Sequence, residues 1–234
     1  MAVPDALKDK VMLYDDNCPM CKAYTRGFVS AGLLTEEGRQ QFSTAHPEIM
    51  QSIDLQRGRH EIPLYDTKTG KTIYGLDALF FILSQRTPFL QPLFRNSVFR
   101  AVLYQVYQVV TYNRRVIVGS LPPASGFDCA PDFNLKYRSI YIALALILAT
   151  ILANLCLPLL AIQAIAVVAI IHLLTIFFTK KRFDFIGQWA TLCLTTAFLT
   201  SLCNILVTNN TALGVIAALI FIVQIGIRRK SLYA

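Results

Sequence analysis

Apolar positions fall into two regimes along the chain. Up to about residue 90 they form short runs between polar turns. From residue 140 onward they form four long runs, 140–157, 159–178, 185–207 and about 212–227, parted by Pro158, by a basic loop and by Thr208-Asn209-Asn210-Thr211. Each is long enough to cross a hydrocarbon core, which takes about 17–25 residues, the fourth only marginally. Lys136 and Arg138 precede the first run, Lys180-Lys181-Arg182 lie between the second and third, and Arg228-Arg229-Lys230 follow the fourth. With four crossings these places share one side, and the other two loops carry no charge. The positive-inside rule makes the basic side cytoplasmic. The expectation is a multi-pass protein of the cell (inner) membrane with both termini in the cytoplasm, in contact with membrane lipid.

Polar residues inside the runs are Asn154, Gln163, His172, Gln188, Asn204 and Gln224. At 1.5 Å per helical residue, His172 lies about 12 Å from Lys180, well inside the core. It is either a functional group, as intramembrane ionisable residues are by default, or a neutral histidine bonded to a neighbouring span. Trp189 fits an interface anchor.

The earlier region has strand and helix periods. Val11-Met12-Leu13-Tyr14 reads as a short buried strand, Asp15-Asp16-Asn17 as a turn, and Cys18-Pro19-Met20-Cys21 as the start of a helix running through Arg26 and stopping near Gly32. Thr35-Glu36-Glu37 predicts a second helix to about Ala45, ended by His46-Pro47. A short segment, 49–55, and a basic loop, 57–60, follow. Residues 61–66 and 71–74 around Thr67-Lys68-Thr69-Gly70 predict a β-hairpin. Leu76, Leu79, Phe80 and Leu83 then share one face of a helix. Beyond a break at 88–92, Val98, Phe99, Val102, Leu103, Val106, Val109 and Val110 recur at helical spacing, rimmed by Tyr and Arg. Such a helix lies either in the membrane interface or against the first domain. A Pro/Gly/Asp loop covers 119–136. The boundaries are therefore 1–95 for a first domain, 96–138 for a connector and 139–234 for a four-helix transmembrane domain.

Composition sharpens this division. The chain of 234 residues is 55% hydrophobic, with mean hydropathy +0.50, too apolar for an ordinary soluble protein. Of 22 Lys and Arg, 16 precede Ser139, and of 14 Asp and Glu only Asp184 follows it. The net charge of +8 thus owes much to short basic loops at the spans, which argues against a nucleic-acid partner. The charged start, 1–10, lacks the apolar stretch of a signal peptide.

Six cysteines are present, and Cys156, Cys193 and Cys203 fall in apolar segments as small hydrophobes. Cys18 and Cys21 carry the chemistry. A strand, a turn and a CxxC at a helix start form the working end of a thioredoxin-like dithiol site. The first helical N–H groups lack partners and the helix dipole is positive there, so Cys18 ionises more easily than a free thiol. Pro19 fits the first turn. Cys21 sits one turn behind and can close a disulfide with Cys18. CxxC is also half of a zinc site, but no second CxxC or Cys/His pair follows nearby. Asp15 and Asp16 serve either as turn and cap residues or, for Asp15, in proton transfer to Cys21. Cys129, alone in its loop, is either a third redox thiol or a plain surface cysteine. His46 and His60 read as solvated loop residues.

Asp15-x-x-Cys18-x-x-Cys21 after an apolar strand resembles the motif of the DCC family of predicted thiol-disulfide oxidoreductases, named for Asp-Cys-Cys. Ile62-Pro63 before the hairpin, then Tyr74-Gly75-Leu76-Asp77-Ala78-Leu79, is similar to the second half of glutaredoxins and thioredoxins. The resemblance covers about 11–119 and leaves out the four spans. It implies an α/β thioredoxin-like fold in the first domain and a cis proline at Pro63 that packs beside the dithiol and holds the substrate backbone. The family usually has Gly where this chain has Asp16, whose charge raises the Cys18 pKa and offsets part of the helix effect.

The leading expectation is a membrane-anchored thiol-disulfide oxidoreductase facing the cytoplasm, with Cys18 as nucleophile, Cys21 as resolving thiol, Pro63 positioning the substrate and Asp15 assisting. Its partner would be a protein or small-molecule disulfide or thiol, and its only redox group the Cys18–Cys21 pair, with no bound cofactor or metal. The alternative is a redox sensor or thiolate metal module that signals to a membrane adaptor bundle.

Overall fold

The computed structural model describes residues 3–123, 128–179 and 181–233. Lys180 of the expected basic loop, part of the 119–136 loop (124–127) and the first two residues of the charged start lie outside the described residues. Two compact units form, one from 1–114 with 122–133, the other from 115–121 with 134–234. The division falls within the connector rather than at its ends.

The first unit is built on β1 (Lys10–Tyr14), whose last four residues are all buried. It is central in a four-stranded mixed sheet of order β2-β1-β3-β4, with β2 at Arg39–Gln41, β3 at Pro63–Asp66 and β4 at Thr72–Tyr74. β1 pairs parallel with β2, Met12 level with Arg39, and antiparallel with β3, Met12 level with Leu64. β3 and β4 form the expected hairpin, with Gly70 at φ +68° in its turn. A strand covered on both faces has apolar residues throughout, and alternation then divides them. Met12 joins Phe28, Leu34, Leu64, Ala78 and Ile82 on one face, beneath α1 (Pro19–Ser30) and the later helix Gly75–Ser84. Val11 and Leu13 join Phe42, Ile49, Ile53 and Cys129 on the other.

The helix expected over 35–45 is absent. Thr35 Oγ1 accepts from the N–H of Gly38 at 2.9 Å, turning the chain, and Arg39–Gln41 then becomes β2. Gly38 passes close to β1: its carbonyl accepts from Met12 N at 2.8 Å, and a Cβ there would stand 3.1 Å from Lys10 O. The free edge of a buried strand needs a partner, and this demand overrides the helix-forming side chains. Pro47, expected to end a helix, begins α2 (Pro47–Ser52), since proline suits a first turn. The expected basic loop is α3 (Leu55–His60), capped by Asp54 Oδ1, which accepts from Arg57 N at 3.0 Å. The cis bond expected at Pro63 is also absent: no cis peptide bond occurs among the described residues. Pro63 opens β3 with the ordinary trans bond, at a strand's first position where its missing N–H is tolerated.

After α4 (Gly75–Ser84) come a 3-10 turn (Pro88–Leu90), α5 (Gln91–Arg95) and α6 (Ser97–Val118). The first-unit part of α6 packs through polar groups: Arg100 pairs with Asp77, and the Tyr107 hydroxyl accepts from Ile62 N at 3.3 Å. Val98, Val102 and Val106 of the predicted apolar stripe are exposed instead.

The second unit holds α7 (Leu135–Cys156), α8 (Leu159–Leu174, prolonged by a 3-10 turn to Phe178), α9 (Arg182–Asn204) and α10 (Asn210–Leu232). Asn134 caps α7 and Asn209 caps α10 with their side-chain oxygens. Four helices among the described residues are long and apolar enough to span a membrane. α9 is the inner one, with 56% of its apolar window buried against 17–22% for the others. Outward positions such as Leu155, Phe178 and Leu206 are nearly bare, as in helices that face lipid. Polar side chains tie the helices together. Tyr141 meets Thr191 at 2.6 Å, Arg138 meets Asp184 at 3.1 Å, and Gln188 donates to Ser231 O at 2.9 Å. These last two contacts bring the starts of α7 and α9 and the end of α10 to one end of the bundle, with their basic residues. Trp189, expected as an interface anchor, donates to Ala169 O of α8 at 2.9 Å. His172 is buried between Phe185 and Phe221, and neither ring nitrogen has a hydrogen-bond partner among the described residues. The expected bond to a neighbouring span is not made.

Candidate functional site

β1 delivers the chain directly into the dithiol. The Asp15 carboxylate accepts from Asn17 N at 2.9 Å, and Asp15 O accepts from Cys18 N at 3.2 Å, closing a tight turn. Cys18 is then the N-cap of α1 in extended conformation, with Pro19 as the first helical residue. Its Sγ takes the place of a capping oxygen and accepts from Cys21 N at 3.4 Å. Both thiols are free, and Cys18 and Cys21 are only 3% and 4% exposed, with Tyr14 and Met20 packed about them.

This asymmetry separates the two sulfurs electrically. The Cys18 thiol is lowered to about 6, first because the Cys21 thiol donates to it, then through the Cys21 N–H and the Arg114 charge, against burial and Asp15. Cys21 is raised strongly by that same hydrogen bond and by burial, while Arg114 pulls the other way. The negative charge of a reduced pair therefore resides on Cys18, and Cys21 keeps the proton.

Three elements beyond the motif meet here. Arg114 of α6 is buried, with Nη1 3.7 Å from Cys21 Sγ and Nη2 3.3 Å from Asp15 Oδ2. Nη2 also donates to the carbonyl of Cys129. Cys129, read from the sequence as a surface residue or a third redox thiol, is 3% exposed, in the apolar layer with Leu13 and Phe42. Its thiol is pushed up to about 12, chiefly by burial and then by Asp15, so it stays protonated. The Arg59 guanidinium holds the same loop by donating to Ala130 O and Asp132. The loop enters the site through its main chain, by the Cys129 carbonyl that accepts from Arg114.

Of the residues expected at the site, Cys18, Cys21 and Asp15 come together. Pro63 is buried at the start of β3; extending the β1–β3 register by one step sets it level with Leu13, one residue before Tyr14. The N–H of the preceding residue, Ile62, is engaged by Tyr107. His46 is exposed, while His60 lies in α3 with its ring 5.4 Å from Tyr112. Arg114 is the residue that sequence reasoning missed. It stands 93 positions after Cys21 at the end of a helix, and its only signal is that a buried carboxylate beside a dithiol requires a counter-charge. Among the described residues no three His, Cys, Asp or Glu side chains are grouped to share a metal ion. Compared with protein-family models, characterised proteins and solved structures, the chain matches none.

Proposed function

We propose that the chain is a membrane-anchored thiol-disulfide oxidoreductase whose first unit is a thioredoxin-like domain of the DCC type. The observation that carries this reading is the N-cap position of Cys18, with its thiol lowered to about 6 while its neighbour holds the proton. Such a pair is set for thiol exchange. The Cys18 thiolate attacks a substrate disulfide, forming a mixed disulfide and expelling one substrate sulfur, which takes up a proton. Cys21 then loses its proton and attacks Cys18 Sγ. The Cys18–Cys21 disulfide forms, the bond to substrate breaks, and the second substrate sulfur leaves as a thiol. Substrate gains two electrons and two protons; the pair gives up the two electrons and the Cys21 proton, and solvent supplies the second proton. The strand order β2-β1-β3-β4, with α1 after β1 and α4 after the hairpin, supports the fold assignment.

The four apolar helices anchor this unit in the cell membrane. The basic residues collected at one end of the bundle favour a cytoplasmic dithiol, where reduction of substrates prevails over disulfide formation. The test is turnover of a model disulfide by the full chain in detergent with a chemical reductant. Turnover should vanish with Cys18→Ser and survive Cys129→Ala. Activity that persists without Cys18 would overturn the reading.

A further inference from the structure

We propose that Arg114 is a catalytic residue of the second, resolving step: its guanidinium stabilises the Cys21 thiolate as that sulfur attacks the mixed disulfide on Cys18. This rests on the oxidoreductase reading above. A guanidinium stays charged under all ordinary conditions, so burying one demands anionic partners. An Arg–carboxylate pair is frequently bidentate, with N–H···O distances of about 2.7–2.9 Å. Arg114 instead gives Asp15 a single contact at 3.3 Å from Nη2, aims Nη1 at Cys21 Sγ, and has no hydrogen-bond partner for Nε among the described residues. The guanidinium thus divides its donors among Asp15, the Cys129 carbonyl and Cys21, and Nη1 places positive potential on the sulfur that must become anionic.

The need for such a group follows from the cycle. In the reduced pair the Cys21 proton is held by the hydrogen bond to Cys18 and by burial. Once Cys18 is tied up in the mixed disulfide, its thiolate is gone, and the charges facing Cys21 are Arg114 on α6 and Asp15 on the turn. Tyr24 of α1 also lies within electrostatic reach. Asp15 opposes ionisation and Arg114 favours it. An adjacent opposite charge shifts a pKa by about 1–3 units. Roughly half of that gain is returned as lower nucleophilicity. Removing Arg114 should therefore slow resolution about 3- to 30-fold.

The experiment mixes the reduced full chain, with the accessible Cys156 and Cys203 replaced by Ser, with a chromogenic aromatic disulfide in single turnover. Attack by Cys18 releases the first coloured thiol and resolution by Cys21 the second; Cys21→Ser identifies the first. In Arg114→Gln the second release should slow by the stated factor and its pH midpoint should move up, with the first release changed less. Arg114→Lys should restore most of the rate. If Arg114→Gln does not fold, Asp15→Asn with Arg114→Gln, which removes both buried charges, should resolve more slowly than Asp15→Asn alone, and equal rates in the two would overturn the role of Arg114. Equal slowing of both releases, or a second release at the parent rate and pH midpoint, overturns the role of Arg114. Absence of any first release from Cys18 in the parent chain would instead overturn the oxidoreductase reading itself.

Discussion

Alkylation of Cys18 as a function of pH probes the electrostatics of the site most finely. A thiol lowered from 9.0 to about 6 is about nine-tenths thiolate at pH 7, whereas an unperturbed one is about one-hundredth. The largest lowering cause is the proton donated by Cys21, ahead of the backbone N–H and Arg114. Cys21→Ala removes that donor and leaves the others, so it should move the Cys18 midpoint upward. Replacing Arg114 withdraws a lesser contribution and should raise it less. Since Cys18 is 3% exposed, absolute rates fall with access, and the midpoint rather than the plateau is the quantity to read. The assay is iodoacetamide labelling of the full chain between pH 4 and 10, with peptide mapping to assign the modified sulfur. A midpoint near 9 in the parent chain, or Cys21 labelled first at neutral pH, would refute the electrostatic account.

Two other expectations follow from packing and charge. Leu64 is fully buried where β3 meets β1, so Leu64→Ala should destabilise the first unit by about 2–5 kcal/mol, read by denaturant unfolding, and a loss below 1 kcal/mol would contradict that placement. In intact cells an impermeant thiol-trapping disulfide should leave Cys18 unmodified until the membrane is opened; modification beforehand would reverse the orientation.

Much of the fold is legible where the pattern is local. Val11 to Tyr14 reads as a buried strand because four consecutive apolar residues suit a strand covered on both faces. Gly70 marks the hairpin because its turn needs a positive φ. The four long helices stand out by length and apolarity. What escapes is set by distant partners. Glu36, Glu37, Arg39, Gln40 and Gln41 look helical, yet the backbone edge of β1 draws Arg39–Gln41 into the sheet. The apolar valines of α6 look like its packing face, yet the contacts it makes through Arg100, Tyr107 and Arg114 are polar. At the site, the segment from Asp15 to Cys21 names both sulfurs and the carboxylate, since helix-start geometry is encoded within a few residues. Neither the counter-ion Arg114 nor the carbonyl of Cys129 has any local signature, since each is brought in by tertiary packing.

The central claim is that Cys18 and Cys21 exchange with a substrate disulfide in that order. Its most direct measurement is the mass of the full chain after one turnover with a disulfide of known mass. The parent chain should lose two hydrogens, mapped to a Cys18–Cys21 disulfide. Cys21→Ser should instead gain one substrate half on Cys18 and hold it. Adduct on Cys21 in Cys18→Ser at a comparable rate, or no Cys18–Cys21 bond in the parent, would contradict the account.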